Sequence, residues 1–178
     1  MTGRCLSLCV ALLGLPGSAA TQAQQTCNLA GKALSSPNSR YMDAGDGAVT
    51  DRNTQLMWMR CAAGQVWAGS VCTGAATRHD WQAGQAVASE INRTGTHFFN
   101  DWRMPTLREL ASVAELHCSH PRINLAMFPA TPSAPFWTSS ARVAREQAEA
   151  YVLDFDVGAV AAAGKEASHH LRLVRNAP

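Results

Sequence analysis

Four cysteines in the body of the chain are the residues whose chemistry is most informative. They are Cys27, Cys61, Cys72 and Cys118, at irregular intervals. Zinc is one use for four cysteines, but the closely spaced pairs of a zinc ribbon are missing. In an oxidising compartment an even number of cysteines forms disulfides instead. We therefore predict two disulfides and no zinc.

One of the three possible pairings is favoured by the segments between the cysteines. Residues 62–71 contain two glycines and a tryptophan, a composition that holds one shape only if its ends are tied. Cys61 and Cys72 are therefore predicted to bond to each other, which leaves Cys27 for Cys118. If the segment around Cys27 has no contacts of its own, Cys118 would instead be free or paired between chains.

Histidine and serine offer no convincing catalytic or metal site. The histidines are His79, His97, His117, His120, His169 and His170. The pair that flanks Cys118 could bind a metal, but that cysteine is assigned to a disulfide, and such histidines are as often exposed or bonded to helix carbonyls. Ser139 and Ser140 lack the context of a serine nucleophile. We expect no catalytic residue, no metal and no cofactor, and hence not an enzyme.

Asp43, Asp46 and Asp51 form an acidic cluster that could bind calcium. An EF-hand-type loop would place side-chain oxygens where this sequence has Gly45 and Gly47. Hairpin turns explain both glycines without an ion. Turns are therefore the predicted role of this segment.

Asp101, Trp102 and Arg103 combine a carboxylate, an indole and a guanidinium that could bind a sugar. Burial of the tryptophan, with an aspartate and an arginine tying the loop to the core, is favoured over that hypothesis. A core position is also predicted for Trp58, Trp81 and Trp137.

A weak anion-binding surface is one ligand site that the sequence suggests. It would consist of Arg142, Arg145, Lys165, His169 and Arg172, if these side chains converge. Interleaved glutamates would blunt its field. The formal net charge of the whole chain is only +2, so no nucleic-acid partner is expected.

The N-terminus has the features of a secretory signal peptide. Arg4 precedes an apolar run over residues 5–15, and small residues follow, with cleavage expected after Ala20 or Ala23. The run is shorter than the roughly 20 residues of a membrane-spanning helix. We therefore predict an exported protein, periplasmic or extracellular, without a membrane span.

The rest of the chain is predicted to hold a leader, residues 24–39, and one domain, residues 40–178. Short strands are expected at 41–42, 48–50, 56–59, 136–138, 150–155 and 170–174. Helices are expected at 80–92, capped by Thr77 or Asp80, and at 107–117, with a capping box of Thr106 and Glu109. Residues 159–163 are expected to form a weak strand or a loop. Strands followed by helices and then strands indicate the α+β class.

Several local patterns, in a fixed order along the chain, together resemble the Lcl C-terminal domain family, a bacterial domain of unknown function. They are Arg40-Tyr41, Gly45-Asp46-Gly47, Val49-Thr50-Asp51, Leu56-Met57-Trp58, Cys61-Ala62, Gly64-Gln65-Val66-Trp67, Gly69, Cys72-Thr73-Gly74, Trp81, Asp101-Trp102-Arg103-Met104-Pro105-Thr106, Glu109-Leu110, Ile123-Asn124, Phe128-Pro129, Trp137-Thr138-Ser139-Ser140 and Arg172-Leu173-Val174-Arg175.

The resemblance implies a C-type-lectin-like fold, in which two helices flank small antiparallel sheets and long loops present a variable surface. We expect a non-enzymatic, adhesin-like binding module for a glycan or protein surface, acting through residues 142–149 and 156–169. One alternative is a structural subunit of a surface appendage or envelope complex. Another is an enzyme related to the sulfatase-modifying branch of this fold, which would need reduced, reactive cysteines.

Overall fold

The computed structural model describes residues 24–95, 99–143 and 148–178. The predicted signal peptide, residues 1–23, lies outside this part of the chain. The helices are α1 (Trp81–Thr94) and α2 (Leu107–Ser112), and a short 3-10 helix spans Asn38–Arg40. The strands are β1 (Thr26–Cys27), β2 (Tyr41–Asp43), β3 (Ala48–Asp51), β4 (Leu56–Met59), β5 (Val66–Trp67), β6 (Cys72–Thr73), β7 (Cys118–Ser119), β8 (Pro135–Val143), β9 (Ala148–Asp154), β10 (Val160–Gly164) and β11 (Val174–Asn176).

The strands form four small sheets, and every named pairing is antiparallel. A four-stranded sheet has the order β11-β4-β3-β2, and a three-stranded sheet has the order β10-β9-β8. Two further sheets are the hairpin β5-β6 and the long-range pair β1-β7. With two helices and two disulfides in the described residues, this is the α+β class that the sequence predicts.

The four-stranded sheet lies between two apolar clusters. Val49, Trp58 and Val174 are paired across the sheet and belong to the cluster on one face. Met57 and Met59 point to the other face, where they pack with residues from α1 and the three-stranded sheet. All residues of β3 and β4 are therefore buried, which explains why β4 is apolar without alternation, whereas β3 ends in the buried polar residues Thr50 and Asp51.

The bounds and the N-cap of the first helix agree closely with the prediction. The Asp80 side chain accepts a hydrogen bond from the Ala83 N–H, and Gly95 ends the helix with a φ of 64°. An aspartate N-cap and a left-handed glycine after the last turn are local signals, so they can be recognised in sequence.

The second helix begins where predicted but ends early, at Ser112 and not at residue 117. Its capping box is present, with Thr106 and Glu109 as the two partners. Beyond the helix, Ala114 pairs with Ile123, and β7 pairs with β1. Contacts with distant segments therefore replace the last predicted turns of the helix.

One prediction near the C-terminus needs correction. The expected strand at 170–174 is displaced, because His169 and His170 form single bridges and the strand itself is β11. Of the two alternatives left open for residues 159–163, the strand is the one observed, since β10 pairs along its length with β9.

Both predicted disulfides are present. Cys61 bonds to Cys72, and Cys27 bonds to Cys118 across the β1-β7 pair. The segment that contains Cys27 also makes contacts of its own, because the Gln25 side chain donates to the carbonyl of Ile123 at 2.7 Å. The alternative of a free Cys118 is therefore wrong.

Candidate functional site

The predicted anion-binding residues do not converge on one surface. Arg142 and Lys165 lie at the same end of the three-stranded sheet, because Glu149 pairs with both Arg142 and Gly164. Each cation already has a partner: Arg142 Nη1 is 2.9 Å from Glu149 Oε2, and Lys165 Nζ is 3.8 Å from the centroid of the Trp81 ring. Arg145 lies outside the described residues.

The other two members of that set face inward. His169 is half-buried with its ring against Trp137, at 4.7 Å between centroids, and burial lowers its pKa. Arg172 is fully buried, and its Nη2 donates to Thr131 Oγ1 at 2.7 Å. Burial lowers the pKa of Arg172 to about 9. The assignment of Arg172 to a surface site is therefore wrong, because its guanidinium binds groups of the protein interior.

The acidic cluster serves turns and two ion pairs, one of which joins Asp43 Oδ2 to Arg60 Nη1 at 2.8 Å. Asp43 Oδ1 and Asp46 Oδ1 accept backbone hydrogen bonds from residues two positions later. Asp51 is buried and ion-paired with Arg40, whose side-chain hydrogen bond helps to lower the Asp51 pKa against the effect of burial. Across residues 24–95, 99–143 and 148–178, no group of three or more histidine, cysteine, aspartate or glutamate side chains could hold a metal.

The predicted sugar-binding triplet is divided among different partners. Asp101 pairs with Arg175 at 2.6 Å, and Trp102 is only 2% exposed. Arg103 instead forms a two-pronged ion pair with Glu109, at 2.7 and 2.8 Å. The core interpretation holds for Trp102, whereas Arg103 faces a surface depression described below.

Two depressions flank α1, and neither was predicted from the sequence. We call the first the apolar cleft, with a volume of about 340 Å³. It is lined by Asp46, Gly47, Met59, Cys61, Ala62, Ala63, Gly64, Gln65, Val66, Trp67, Val87, Ile91 and Leu173. We call the second the polar cleft, with a volume of about 510 Å³. It is lined by Gln85, Ala88, Ser89, Trp102, Arg103, Met104, Thr106, Glu109 and Ser139.

The β5-β6 hairpin forms one wall of the apolar cleft, and α1 forms the other. On the hairpin, Val66 is 67% exposed and Trp67 is half-buried. The indole of Trp67 lies under the Arg60 guanidinium, whose Cζ is 4.2 Å from the ring centroid. It also packs against Gly47, where a Cβ would be 2.8 Å from the Trp67 side chain. The indole is therefore fixed in place as part of the wall.

The base of the hairpin is closed by covalent and backbone constraints. The Cys61–Cys72 disulfide is almost completely buried. Gly64 has a φ of +86°, and a Cβ there would lie 2.5 Å from Thr77 Cγ2, so glycine is required. The Gln65 side chain accepts from the Ala62 N–H and donates to the Ala130 carbonyl. These constraints hold the wall in a fixed position.

The polar cleft lies between the opposite side of α1 and the start of α2. Its lining charges are Arg103 and Glu109, which neutralise each other. The hydrogen bond from Arg103 holds the pKa of Glu109 below its usual range, against the opposing effect of burial. The same carboxylate accepts the Thr106 backbone N–H at 2.7 Å, as part of the capping box.

Sequence reasoning missed both clefts, although some of their residues carried a signal. Trp67 lies in the segment that was predicted to be closed by a disulfide. Val87 and Ile91 lie on the predicted apolar face of α1. The pattern could not show that the core covers only part of this apolar face and leaves Val87 and Ile91 partly exposed in the cleft. The polar cleft has two such signals, the capping box that contains Glu109 and the Asp101-Trp102-Arg103 triplet that was considered as a sugar site.

Comparison with known families gives one match. A model of the Lcl C-terminal domain matches residues 47–175, which is well over half of the chain. The chain therefore belongs to this family, as the resemblance predicted. No curated protein shows significant similarity to the chain.

Proposed function

We propose that this member of the Lcl C-terminal domain family is an exported, non-enzymatic binding module with a C-type-lectin-like fold. Its apolar cleft receives an apolar side chain presented on the surface of a partner protein. The observation that carries the proposal is the open apolar cleft between α1 and a disulfide-closed hairpin.

The dimensions and rigidity of the apolar cleft support this function. Small-molecule and side-chain sites are mostly apolar depressions of about 300 to 1,000 Å³ with a few polar groups. The cleft falls in this range, and the Asp46 carboxylate is the acidic group on its lining. A wall fixed by a disulfide loses little conformational entropy on binding, which favours affinity.

The state of the cysteines supports a binding role over the enzymatic alternative. Cys27, Cys61, Cys72 and Cys118 are all bonded in the two disulfides. An enzyme of the sulfatase-modifying kind would need reduced, reactive cysteines. A thiol count on the denatured mature protein should therefore give none, and two or more free thiols would favour the enzyme.

Export is supported by the same two disulfides, which persist in oxidising compartments. No helix in the described ranges is long and apolar enough to cross a membrane. Expression in a bacterial host followed by sequencing of the mature N-terminus should show cleavage after Ala20 or Ala23. Retention of Met1 on the purified protein would contradict export.

Two valines of the same hairpin give a matched test of the cleft. Val66 lines the cleft, whereas Val71 is also exposed, at 49%, but is not part of the lining. Peptides selected from a displayed library on the immobilised protein should share an aromatic or aliphatic residue. Their Kd should rise at least tenfold with Val66→Asp and stay unchanged with Val71→Asp. Equal effects of the two substitutions would contradict the proposal.

A further inference from the structure

The polar cleft has the composition of a ligand site of a different kind from the apolar cleft. Its polar groups come from three separate elements: Gln85 from α1, Glu109 from α2 and Ser139 from β8. Buried Trp102 and Met104 add apolar surface beside them. A depression with polar groups around a small apolar surface can bind a molecule that has both hydroxyl groups and C–H faces.

The ion pair in this cleft presents fixed hydrogen-bonding groups without net charge. Arg103 Nη1 and Nη2 donate to the two carboxylate oxygens of Glu109 at 2.8 and 2.7 Å. Each of these nitrogens carries a second N–H, and Glu109 Oε1 retains a further lone pair, whereas Oε2 also accepts the Thr106 N–H. Two donors and one acceptor therefore lie within a few ångströms, an arrangement that suits two adjacent hydroxyl groups.

Two further groups of the cleft are available to a ligand. The side-chain amide of Gln85 and the hydroxyl of Ser139 make no hydrogen bond with the described residues. Gln85 is exposed and Ser139 is half-buried, so both can be reached. The Ser139 backbone is fixed by the hydrogen bond from its N–H to the Pro105 carbonyl at 2.7 Å. The cleft is thus assembled before any ligand arrives.

We infer that the polar cleft is a binding site for a neutral saccharide unit with adjacent hydroxyl groups. Neutrality follows from the pairing of Arg103 with Glu109, because a sulfate or carboxylate would have to displace the glutamate from its arginine. A cation would meet the same difficulty at the glutamate. This inference goes beyond the apolar cleft and stands or falls separately from it.

Neutral disaccharides are suitable probes for this site. Lactose, maltose and cellobiose should be titrated into the purified full mature chain and followed by saturation-transfer and protein-observed NMR. At least one should bind with a millimolar Kd and shift the side-chain amide signals of Gln85. A sulfated disaccharide serves as the charged comparison and should bind more weakly.

Gln85 has a matched control on its own helix. Gln85→Ala and Ser139→Ala should each raise the Kd about fivefold to tenfold, the effect of one lost hydrogen bond. Gln82 is also exposed on α1 but lines neither cleft, so Gln82→Ala should leave the Kd unchanged. Val66→Asp should also leave it unchanged, which separates this inference from the proposed function.

Three results would overturn the inference. One is that none of the neutral disaccharides binds at millimolar concentration. A second is that Gln82→Ala weakens binding as much as Gln85→Ala does. The third is a preference for the sulfated disaccharide, which would show that Arg103 acts as an anion site.

Discussion

The apolar and polar clefts share α1 as a wall but are held together by different forces. The hairpin of the apolar cleft is closed by a buried disulfide and packed around Trp67. The polar cleft depends on the Arg103–Glu109 ion pair and the capping box of α2. Covalent and apolar contacts do not titrate, whereas an ion pair is lost when its carboxylate is protonated. The two clefts should therefore respond differently to loss of cysteines, to loss of charge and to acid.

Removing each disulfide in turn should give the largest effects. In the chain-entropy model, the bond over 91 residues contributes about 4 to 5 kcal/mol and the bond over 11 residues about 3 kcal/mol. Urea unfolding of the Cys27→Ala/Cys118→Ala and Cys61→Ala/Cys72→Ala variants measures both losses. Loss of the Cys61–Cys72 bond should cost less stability than loss of the Cys27–Cys118 bond. It should nevertheless be the only one of the two losses that weakens peptide binding in the apolar cleft.

The control for this experiment is the variant of the longer-range bond. Measured well below its unfolding transition, the Cys27→Ala/Cys118→Ala protein should bind peptide and saccharide like the wild type. If it lost peptide binding as completely as the Cys61→Ala/Cys72→Ala protein, the hairpin would not be the specific wall of the apolar cleft.

Glu109→Gln should destabilise the protein by about 1 to 2 kcal/mol, because it removes the ion pair and weakens the capping box. The loss stays below that of a fully buried pair, since the Arg103 side chain is 40% exposed and can be hydrated. Urea unfolding at neutral pH measures it. Glu90→Gln is the comparison, because Glu90 forms an exposed pair with Arg93 that should contribute little to stability. Equal losses would show that the polar cleft has no special stabilisation.

Acid should abolish the difference in stability between the wild type and the Glu109→Gln variant. The Arg103 hydrogen bond lowers the folded-state pKa of Glu109 below its ordinary value of 4.5. The stabilisation is therefore complete above pH 4.5 and is lost as the pH falls through the folded-state pKa. Urea unfolding of wild type and Glu109→Gln at neutral pH and in strong acid should show the gap closing. A gap that stays constant would mean that the charge of Glu109 contributes nothing to stability.

Local signals account for the parts of the fold that the sequence predicted well. Asp80 and Gly95 bound α1, and the pair Thr106 and Glu109 begins α2, because caps depend only on neighbouring residues. The C-terminal end of α2 was predicted poorly for the opposite reason. There the buried Glu115 accepts hydrogen bonds from the backbone of Ser35 and Ser36, residues about eighty positions away. No helical pattern contains that information.

The candidate sites were harder to predict than the fold, since each depends on which elements meet. Arg103 was considered together with Asp101, its neighbour in sequence, but its carboxylate partner is Glu109 in the next helix. The apolar face of α1 was recognised, yet it divides in the structure. Ala88 is buried and borders the polar cleft, whereas Val87 and Ile91 remain partly exposed in the apolar cleft.

The smallest expected effect comes from Gly84, which is buried in α1 between the two clefts. Gly84→Ala should gain about 1 kcal/mol in helix propensity. Its Cβ would lie 3.0 Å from Met104 Cε, the flexible end of a side chain, and 3.8 Å from Leu171 Cδ2. Moving the Met104 methyl offsets much of the gain, so the net change in unfolding free energy should stay within about 0.5 kcal/mol of zero.

This substitution should nevertheless distinguish the clefts. Met104 lines the polar cleft and not the apolar one, so its displacement should alter the Kd for a disaccharide and leave peptide binding unchanged. Ala86→Gly, at an exposed position of the same helix, gives the propensity term alone and should cost about 1 kcal/mol. A loss of more than about 1 kcal/mol in Gly84→Ala would mean that Met104 cannot move, because overpacking then exceeds the helix gain. In that case the floor of the polar cleft is as rigid as the hairpin wall of the apolar cleft.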